Sequence, residues 1–244
     1  EKKRMSEKQK KRQWHTPAER IMMTGFGVVI ILGTLLLCLP VSSASGKSVY
    51  WLDALFTATT SVCVTGLVTV PTATTWSVFG KIVILGLIQF GGLGIMACLI
   101  MIFLVLRRKI SLQSRKLIQD TYNLPVLKGS VGIVRRLLIG TAVVEIAGAI
   151  CYGFWFVPHY GLWRGIGYSI FHSISAFCNA GIDLVGESSF APFVTNPLMN
   201  VTTMGLIILS GLGFPVWWEV IEHVQDLLKG KRTRKNFIRG FTLH

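Results

Sequence analysis

The sequence predicts an all-α polytopic membrane protein built from two tandem repeats, each a span, a short re-entrant helix with its loop, and a second span. Hydrophobic residues make up 51% of the 244 residues and charged residues only 15%, with a mean hydropathy of +0.57. The apolar residues cluster in long runs, basic residues fall between alternate runs, and one short semi-polar segment occurs twice. Helices that cross a bilayer require such runs, whereas a soluble core does not.

The net charge of +14 is carried by three basic segments. Of the 25 Lys and Arg, eight lie in residues 1–20, eight in 107–136 and six in 229–239. Cytoplasmic segments of membrane proteins carry this excess, so we predict a multi-pass protein of the cell (plasma) membrane with a cytoplasmic N-terminus. Contact of these basic segments with anionic membrane lipid headgroups explains the charge. Nucleic-acid binding is not expected, because no base-reading module accompanies the charge.

The reactive side chains form no recognisable catalytic or metal-binding pattern. The five cysteines include no CxxC pair and have no ligand spacing with His. The sequence also lacks a Ser/His/Asp set, an HExxH motif and paired carboxylates at catalytic spacing. We therefore expect neither an enzyme nor a cofactor bound by this chain.

The first repeat is predicted over residues 21–109, after a cytoplasmic segment at 1–20. Its elements are a span (21–39), a short helix (50–61), an extended loop (62–66), an outward return (69–75) and a second span (78–106). Pro40 ends the first span, and the loop is predicted from its β-branched residues and its Gly.

A cytoplasmic connector (110–136) leads to the second repeat, predicted over residues 137–228. Its elements are a span (137–157), an external turn (158–164), a short helix (165–175), a loop ending at Gly181, an external loop (183–197) and a span (198–218) that runs into an amphipathic segment. Residues 229–244 form a last basic cytoplasmic segment.

Two sequence similarities, in the same order, support the repeat. LFTATTSVCVTGL at residues 55–67 matches IFHSISAFCNAGI at 170–182, with an offset of 115 residues. GLIQFGGLGIM at 86–96 matches GLIILSGLGFP at 205–215 in six of eleven positions, with an offset of 119 residues. Parallel repeats of this kind are a known transporter architecture.

The repeated loops carry the chemistry of an ion path. Non-helical backbone at membrane depth is tolerated only where it is buried or lines a watery cavity, and rings of backbone carbonyls replace the hydration shell of a cation. The carbonyls expected to face the ion belong to Val62, Cys63, Val64 and Thr65, and to Phe177, Cys178, Asn179 and Ala180. Gly66 and Gly181 close the loops, and the preceding helices direct their negative C-terminal ends at the ion path. The alternative is that each Cys-x-x-Gly only caps a helix.

Several polar and small residues nearby have a functional and a structural interpretation. The loop hydroxyls are expected to hold the loops by hydrogen bonds; they belong to Thr59, Thr60, Ser61, Ser173 and Ser175. Glu145 is either a functional carboxylate or a structural partner, and Gln89 and His172 are expected to make interhelical hydrogen bonds. The glycines at 91–94 and 211–213 either allow close helix packing or break the span. Outer acids either attract cations or are merely solvated: Asp53, Asp183 and Glu187.

The motifs VCVTGL (62–67), FCNAGID (177–183) and GLIQFGGLG (86–94) resemble the Trk/Ktr/HKT superfamily of potassium transporters, and most closely the membrane subunit of bacterial Ktr-type uptake systems. The resemblance implies four M1–P–M2 (potassium-channel-like) repeats around one pore, each with a selectivity-filter Gly, of which Gly66 and Gly181 are the first and second. It implies potassium uptake, with Na⁺ as a coupling or activating ion left open. It also implies a homodimer and a cytoplasmic nucleotide-binding (RCK/KTN-type) regulatory ring.

The chain holds two repeats where the resemblance implies four. We therefore expect residues 1–244 to be an N-terminal portion, with chains that pair to supply four repeats as the alternative. A sodium or mixed-cation transporter of the same architecture and a non-transporting membrane scaffold remain alternative functions.

Overall fold

The computed structural model describes residues 17–94, 97–98, 130–186, 189–213, 216–217 and 220. Within this part of the chain the regular structure is helical, and the extended pairing consists of one isolated bridge between Ser43 and Trp76. The helices are α1 (Pro17–Leu37), α2 (Trp51–Cys63), α3 (Thr72–Thr75), α4 (Val78–Leu93), α5 (Ser130–Tyr160), α6 (Leu162–Phe177) and α7 (Pro197–Leu212), with 3₁₀ turns at Pro40–Ser42 and Ala191–Phe193. The predicted all-α class is confirmed for these residues.

The two halves pack in the same way. In the first half α2 lies against both α1 and α4, and in the second half α6 lies against both α5 and α7. Each of α2 and α6 is therefore flanked by two apolar helices of its own half, and the contact between α4 and α6 brings the two halves together.

The outer faces of the long helices are apolar. α5 contains the one described segment, Val134–Tyr160, that is long and apolar enough to cross a membrane, while Met23–Leu37, Val78–Leu93 and Pro197–Leu212 are shorter apolar helices. Large side chains along these helices face outward, among them Phe154 and Val201, which are 72% and 64% exposed. An apolar surface of this extent indicates contact with lipid or with further protein.

Several predicted boundaries differ from those observed. α2 continues to Cys63 and α6 to Phe177, so Val62, Cys63 and Phe177 are helical instead of extended. The turn predicted at 158–164 is much shorter than expected, because α5 reaches Tyr160 and α6 starts at Leu162. Only Gly161 separates them, at φ +79°, a conformation that glycine adopts without strain.

The predicted second span of each half is interrupted at a glycine. α4 ends before Gly94 (φ +81°, ψ 145°) and α7 ends before Gly213 (φ +77°, ψ 154°), in a region open essentially to glycine alone. Helical backbone follows at residues 97–98 and 216–217. The predictions for most of the connector and for the segments from 221 onward lie outside the described residues.

Candidate ion-path loops

The two repeated loops meet at their glycines. A Cβ placed on Gly66 would lie 2.7 Å from the carbonyl oxygen of Ala180 and 3.5 Å from the Cα of Gly181. A Cβ on Gly181 would lie 3.7 Å from the Cα of Gly66. The contact joins residues 115 positions apart, and glycine at 66 is needed because any side chain there would collide with the second loop.

Both loops repeat the same succession of backbone conformations. Val64 and Asn179 have φ of 54° and 59°, and two residues later Gly66 and Gly181 have φ of 78° and 66°. Asn tolerates the left-handed region, but a β-branched residue there is a steric outlier that costs about 1–3 kcal/mol. Such strain persists where the surroundings impose it, which is typical of functional sites.

Thr60 holds the first loop. Its carbonyl accepts from the backbone N–H of Thr65 at 3.0 Å, and its hydroxyl accepts from the N–H of Leu67 at 3.1 Å and pairs with the hydroxyl of Thr65 at 2.7 Å. These bonds join the last turn of α2 to the residues on both sides of Gly66, so they fix the path of the loop.

Ser175 holds the second loop from the matching position. Its carbonyl accepts from the N–H of Ala180 at 2.8 Å, the counterpart of the Thr65 bond. Its hydroxyl donates to the carbonyl of Ile182 at 2.5 Å, whereas the first loop uses the N–H of Leu67 at the same place. The prediction that hydroxyls hold the loops is confirmed for Thr60 and Ser175.

The other hydroxyls serve the helices. Thr59 and Ser61 donate to carbonyls one turn back in α2, at 2.7 and 2.6 Å. Ser173 donates to the carbonyl of Glu145 on α5 at 2.6 Å, which anchors α6 and not its loop.

Helix α4 contacts both loops through its glycines. Gly91 lies directly against the carbonyl of Val62, and Gly92 lies against the Cβ and Sγ of Cys178. A methyl group on either residue would overlap these atoms. Close packing is therefore one role of the glycine stretch, and the break at Gly94 is the other, so both interpretations given for this motif hold.

Gln89 and His172 make the bonds expected of interior polar residues. Gln89 on α4 donates to the Glu145 carboxyl on α5, so its predicted interhelical bond is confirmed. His172, 2% exposed, shares a bond with the carbonyl of Tyr168 through Nδ1 at 2.7 Å and accepts at Nε2 from the N–H of Leu184 at 3.2 Å. Because Nε2 accepts a hydrogen bond, the proton of the neutral ring lies on Nδ1. His172 therefore ties α6 to the chain beyond Gly181, a local connection that the interhelical prediction missed.

Asn179 is connected to a partner that the sequence analysis did not single out. Its Nδ2 donates to the hydroxyl of Ser210 on α7 at 3.1 Å. Ser210 replaces Gly91 at the same position of the repeated GLI stretch. This replacement of a glycine by a serine is the feature of the sequence from which the bond could have been predicted.

An open cavity of about 340 Å³ adjoins the two glycines and is lined by residues 68–72 and by Gly66, Gly181, Asp183 and Ser189 among others. The carboxyl of Asp183 accepts from the N–H of Val185 at 3.0 Å and from the hydroxyl of Ser189 at 2.7 Å. Asp53 lies in the first turn of α2 and does not line this cavity. Glu187 is outside the described residues. Asp183 alone of the predicted outer acids is therefore found beside the two loops.

Matched positions of the two halves differ in what covers them. Cys178 is 7% exposed beneath Gly92, whereas its counterpart Cys63 is exposed. A Cβ on Gly211, the counterpart of Gly92, would meet no described atom within 4 Å. The second loop is thus covered by α4 at Cys178, whereas the first loop is uncovered at the matching residue, Cys63.

Comparison with known proteins identifies the family. The family described as "Cation transport protein" (TrkH) matches residues 2–242. The potassium/sodium uptake protein NtpJ of Enterococcus hirae is 40% identical over 204 residues, which cover 84% of this chain and 45% of that protein. The Ktr system potassium uptake protein B of Bacillus subtilis is 40% identical, covering 85% and 46%, and that of Vibrio alginolyticus 37% identical, covering 84% and 44%.

The chain spans about half the length of these curated relatives. The match nevertheless extends over almost all of its own residues, including both loops and both glycine-rich helices. The chain therefore belongs to the TrkH family of cation transport proteins, which are membrane proteins.

Proposed function

We propose that this chain supplies two adjacent walls of a potassium-selective pore in a membrane uptake protein, with the loops at 62–66 and 177–181 facing the ion. The observation that carries the proposal is the meeting of Gly66 and Gly181 in loops of the same backbone conformation. Two walls that are related by a sequence repeat and meet at their closing glycines are what a shared ion path requires.

The backbone conformations suit ligation by carbonyls. In an ordinary strand successive residues face opposite sides. Positive φ occurs at alternate positions, at 64 and 66 and again at 179 and 181, and we propose that this alternation turns successive carbonyls toward one side. Carbonyls so arranged replace the hydration shell of an ion. The carbonyl of Val62 packs against Gly91, so we leave it out of the proposed ligand set.

The helices add electrostatic support. Each loop begins at the C-terminus of a short helix, α2 at Cys63 and α6 at Phe177. The C-terminus of a helix carries about half a negative elementary charge. Two such ends directed at the loops would stabilise a cation between them without a fixed charge that holds the ion too tightly.

The uncovered positions support a larger ring. Gly92 of the first half packs on Cys178 of the second, and we propose that Gly211 packs in the same way on a third loop while a fourth unit covers Cys63. The chain would then hold two of four M1–P–M2 repeats with re-entrant short helices. The chain spans about half the length of the named relatives, which fits this organisation.

The names of the relatives support a proposal about partner proteins. The Bacillus subtilis relative is named as part of a Ktr system, and we propose that the full-length protein forms a homodimer on a cytoplasmic nucleotide-binding ring. The basic segments at 107–136 and 229–239 would contact that ring or anionic lipid from the cytoplasmic side, together with the N-terminus.

A second candidate is transport that also involves sodium. The Enterococcus hirae relative is named a potassium/sodium uptake protein. In this case Na⁺ would be carried or would act as a coupling ion through the same loops.

The test is cation flux through the full-length protein in liposomes. We expect K⁺ flux to exceed Na⁺ flux, and Gly181→Ser to remove most of this preference, because serine at φ +66° displaces the loop backbone. Gly27→Ser is the control, since a Cβ there meets no described atom within 4 Å. Equal flux of both ions through the unmodified protein would favour the mixed-cation alternative, and no flux at all would leave a scaffold.

A further inference from the structure

A buried polar chain connects the second loop to α4 and α5. The Gln89 amide nitrogen donates to both carboxyl oxygens of Glu145, at 3.0 and 3.2 Å. The Gln89 amide oxygen accepts from the Sγ of Cys178 at 3.6 Å. Both ends of the amide are therefore used, and its orientation is fixed by a carboxyl on one side and a thiol on the other.

The same loop residue is held a second time by α4. Gly92, three residues after Gln89, packs against the Cβ and Sγ of Cys178. Residues three apart share one face of a helix. The side chain of Cys178 is thus enclosed by one face of α4 at the point where the chain leaves α6.

Glu145 also positions α6 itself. Its backbone carbonyl accepts from the hydroxyl of Ser173 at 2.6 Å, and its residue is 8% exposed. A buried carboxyl without a partner is costly, so Gln89 is bound firmly to it. Through Gln89 and Ser173, one residue of α5 fixes both the helix and the first loop residue after it.

The chain of contacts is not a general property of the repeat. Ile208 replaces Gln89 at the matching position of α7, and it is 61% exposed. The second half binds its own loop differently, through Ser210 and Asn179. The Gln89 connection is therefore specific to the junction between the two halves.

We infer that Gln89 and Glu145 are positioning residues that set the preference for K⁺ over Na⁺ by fixing Cys178. The inference rests on the proposed function of the loops. Carbonyl selectivity depends on the placement and freedom of the ligands, and the carbonyls of Cys178 and Asn179 follow directly from the residue that Gln89 holds. Neither Gln89 nor Glu145 needs to touch the ion.

The test compares variants of the full-length protein in liposomes, at equal amounts of folded protein. Glu145→Gln keeps an acceptor for the Gln89 amide, and we expect its K⁺ to Na⁺ flux ratio to stay within about twofold of the parent. Adding Gln89→Met removes the amide without leaving a charge unpaired, and we expect the ratio to fall at least about tenfold. Ile82→Met is the matched control: Ile82 also lies on α4 but is 61% exposed, so this variant should not change the flux ratio.

A second variant guards against a folding defect. Gln89→Leu with Glu145→Leu replaces both buried polar groups by apolar ones, a change that buried pairs often tolerate, and it should show the same loss of preference. If the parent prefers K⁺ and both double variants fold and keep its ratio, the inference is overturned while the proposed function stands. A parent without K⁺ preference overturns both.

Discussion

Replacing Gly66 by alanine measures how closely the two loops approach each other. The first cost is conformational, since φ is +78° and the left-handed region costs an L residue about 1–2 kcal/mol. The second cost is steric, because the new Cβ would lie 2.7 Å from the Ala180 carbonyl oxygen. Backbone must move to relieve this contact, and overpacking costs about 1–3 kcal/mol. We therefore expect a total of about 2–5 kcal/mol.

Gly181→Ala separates the two costs. Its φ of +66° carries the conformational cost, but the nearest described atom to its Cβ, apart from its chain neighbours, would be the Gly66 Cα at 3.7 Å. The expected cost is thus about 1–2 kcal/mol. Each of these free energies acts on the relative placement of carbonyls that the proposed function assigns to the ion.

The assay is the K⁺ to Na⁺ flux ratio of the full-length protein in liposomes. The strain can change the preference by no more than its own free energy, and 1–2 kcal/mol corresponds to roughly 5- to 30-fold, so we expect Gly181→Ala to lose at most about that much preference. Gly66→Ala, with the larger strain, should lose more of the preference than Gly181→Ala does. Gly27→Ala should change nothing. If Gly66→Ala lowers the K⁺ to Na⁺ flux ratio no more than Gly181→Ala does, the close approach of the loops is refuted.

Two further substitutions test what holds the first loop. Val64→Asn should raise the free energy of unfolding by about 0.5–1 kcal/mol, because Asn tolerates the left-handed backbone; a lower denaturation temperature would show instead that packing of the valine outweighs its strain. Thr60→Val should lower stability by about 1–3 kcal/mol because it leaves the N–H of Leu67 unpaired, whereas Thr59→Val, whose hydroxyl bonds only within α2, should change it by under about 0.5 kcal/mol. Equal effects of the two threonine variants in thermal denaturation would contradict the assigned bonds.

The repeat made much of this arrangement predictable. Matching motifs at offsets of 115 and 119 residues located both loops, their closing glycines and the glycine-rich helices, because repeated sequence imposes repeated local structure. The hydroxyls of Thr60 and Ser175 were identified for the same reason. Their partners, an N–H in one loop and a carbonyl in the other, depend on side-chain rotation that spacing does not determine.

The helix ends were less predictable. Val62 was expected to be extended because β-branched residues favour strands, yet it is buried in the last turn of α2. The bond from the Thr65 N–H to the Thr60 carbonyl closes that turn, and tertiary burial outweighs the weak local preference. Similarly, the span was predicted to end at Val157, but α5 continues through Pro158 to Tyr160.

The contacts between the halves could not be predicted from spacing. Gln89 meets Cys178 across 89 residues and Glu145 across 56, and no pattern in a single sequence specifies which polar residues meet. The sequence marked Gln89 and Glu145 as polar residues in apolar helices, which indicated that each needs a partner. Only the packing of α4 against α6 shows that their partnership reaches the loop.

The central claim is that the two loops together surround a single ion. The most direct measurement is a structure of the full-length protein with rubidium in place of potassium, in which anomalous scattering locates the ion. We predict a peak bounded by carbonyl oxygens of both loops, beside Gly66 and Gly181, that disappears in sodium. Rubidium bound only elsewhere, with no peak between the two loops, would contradict the account.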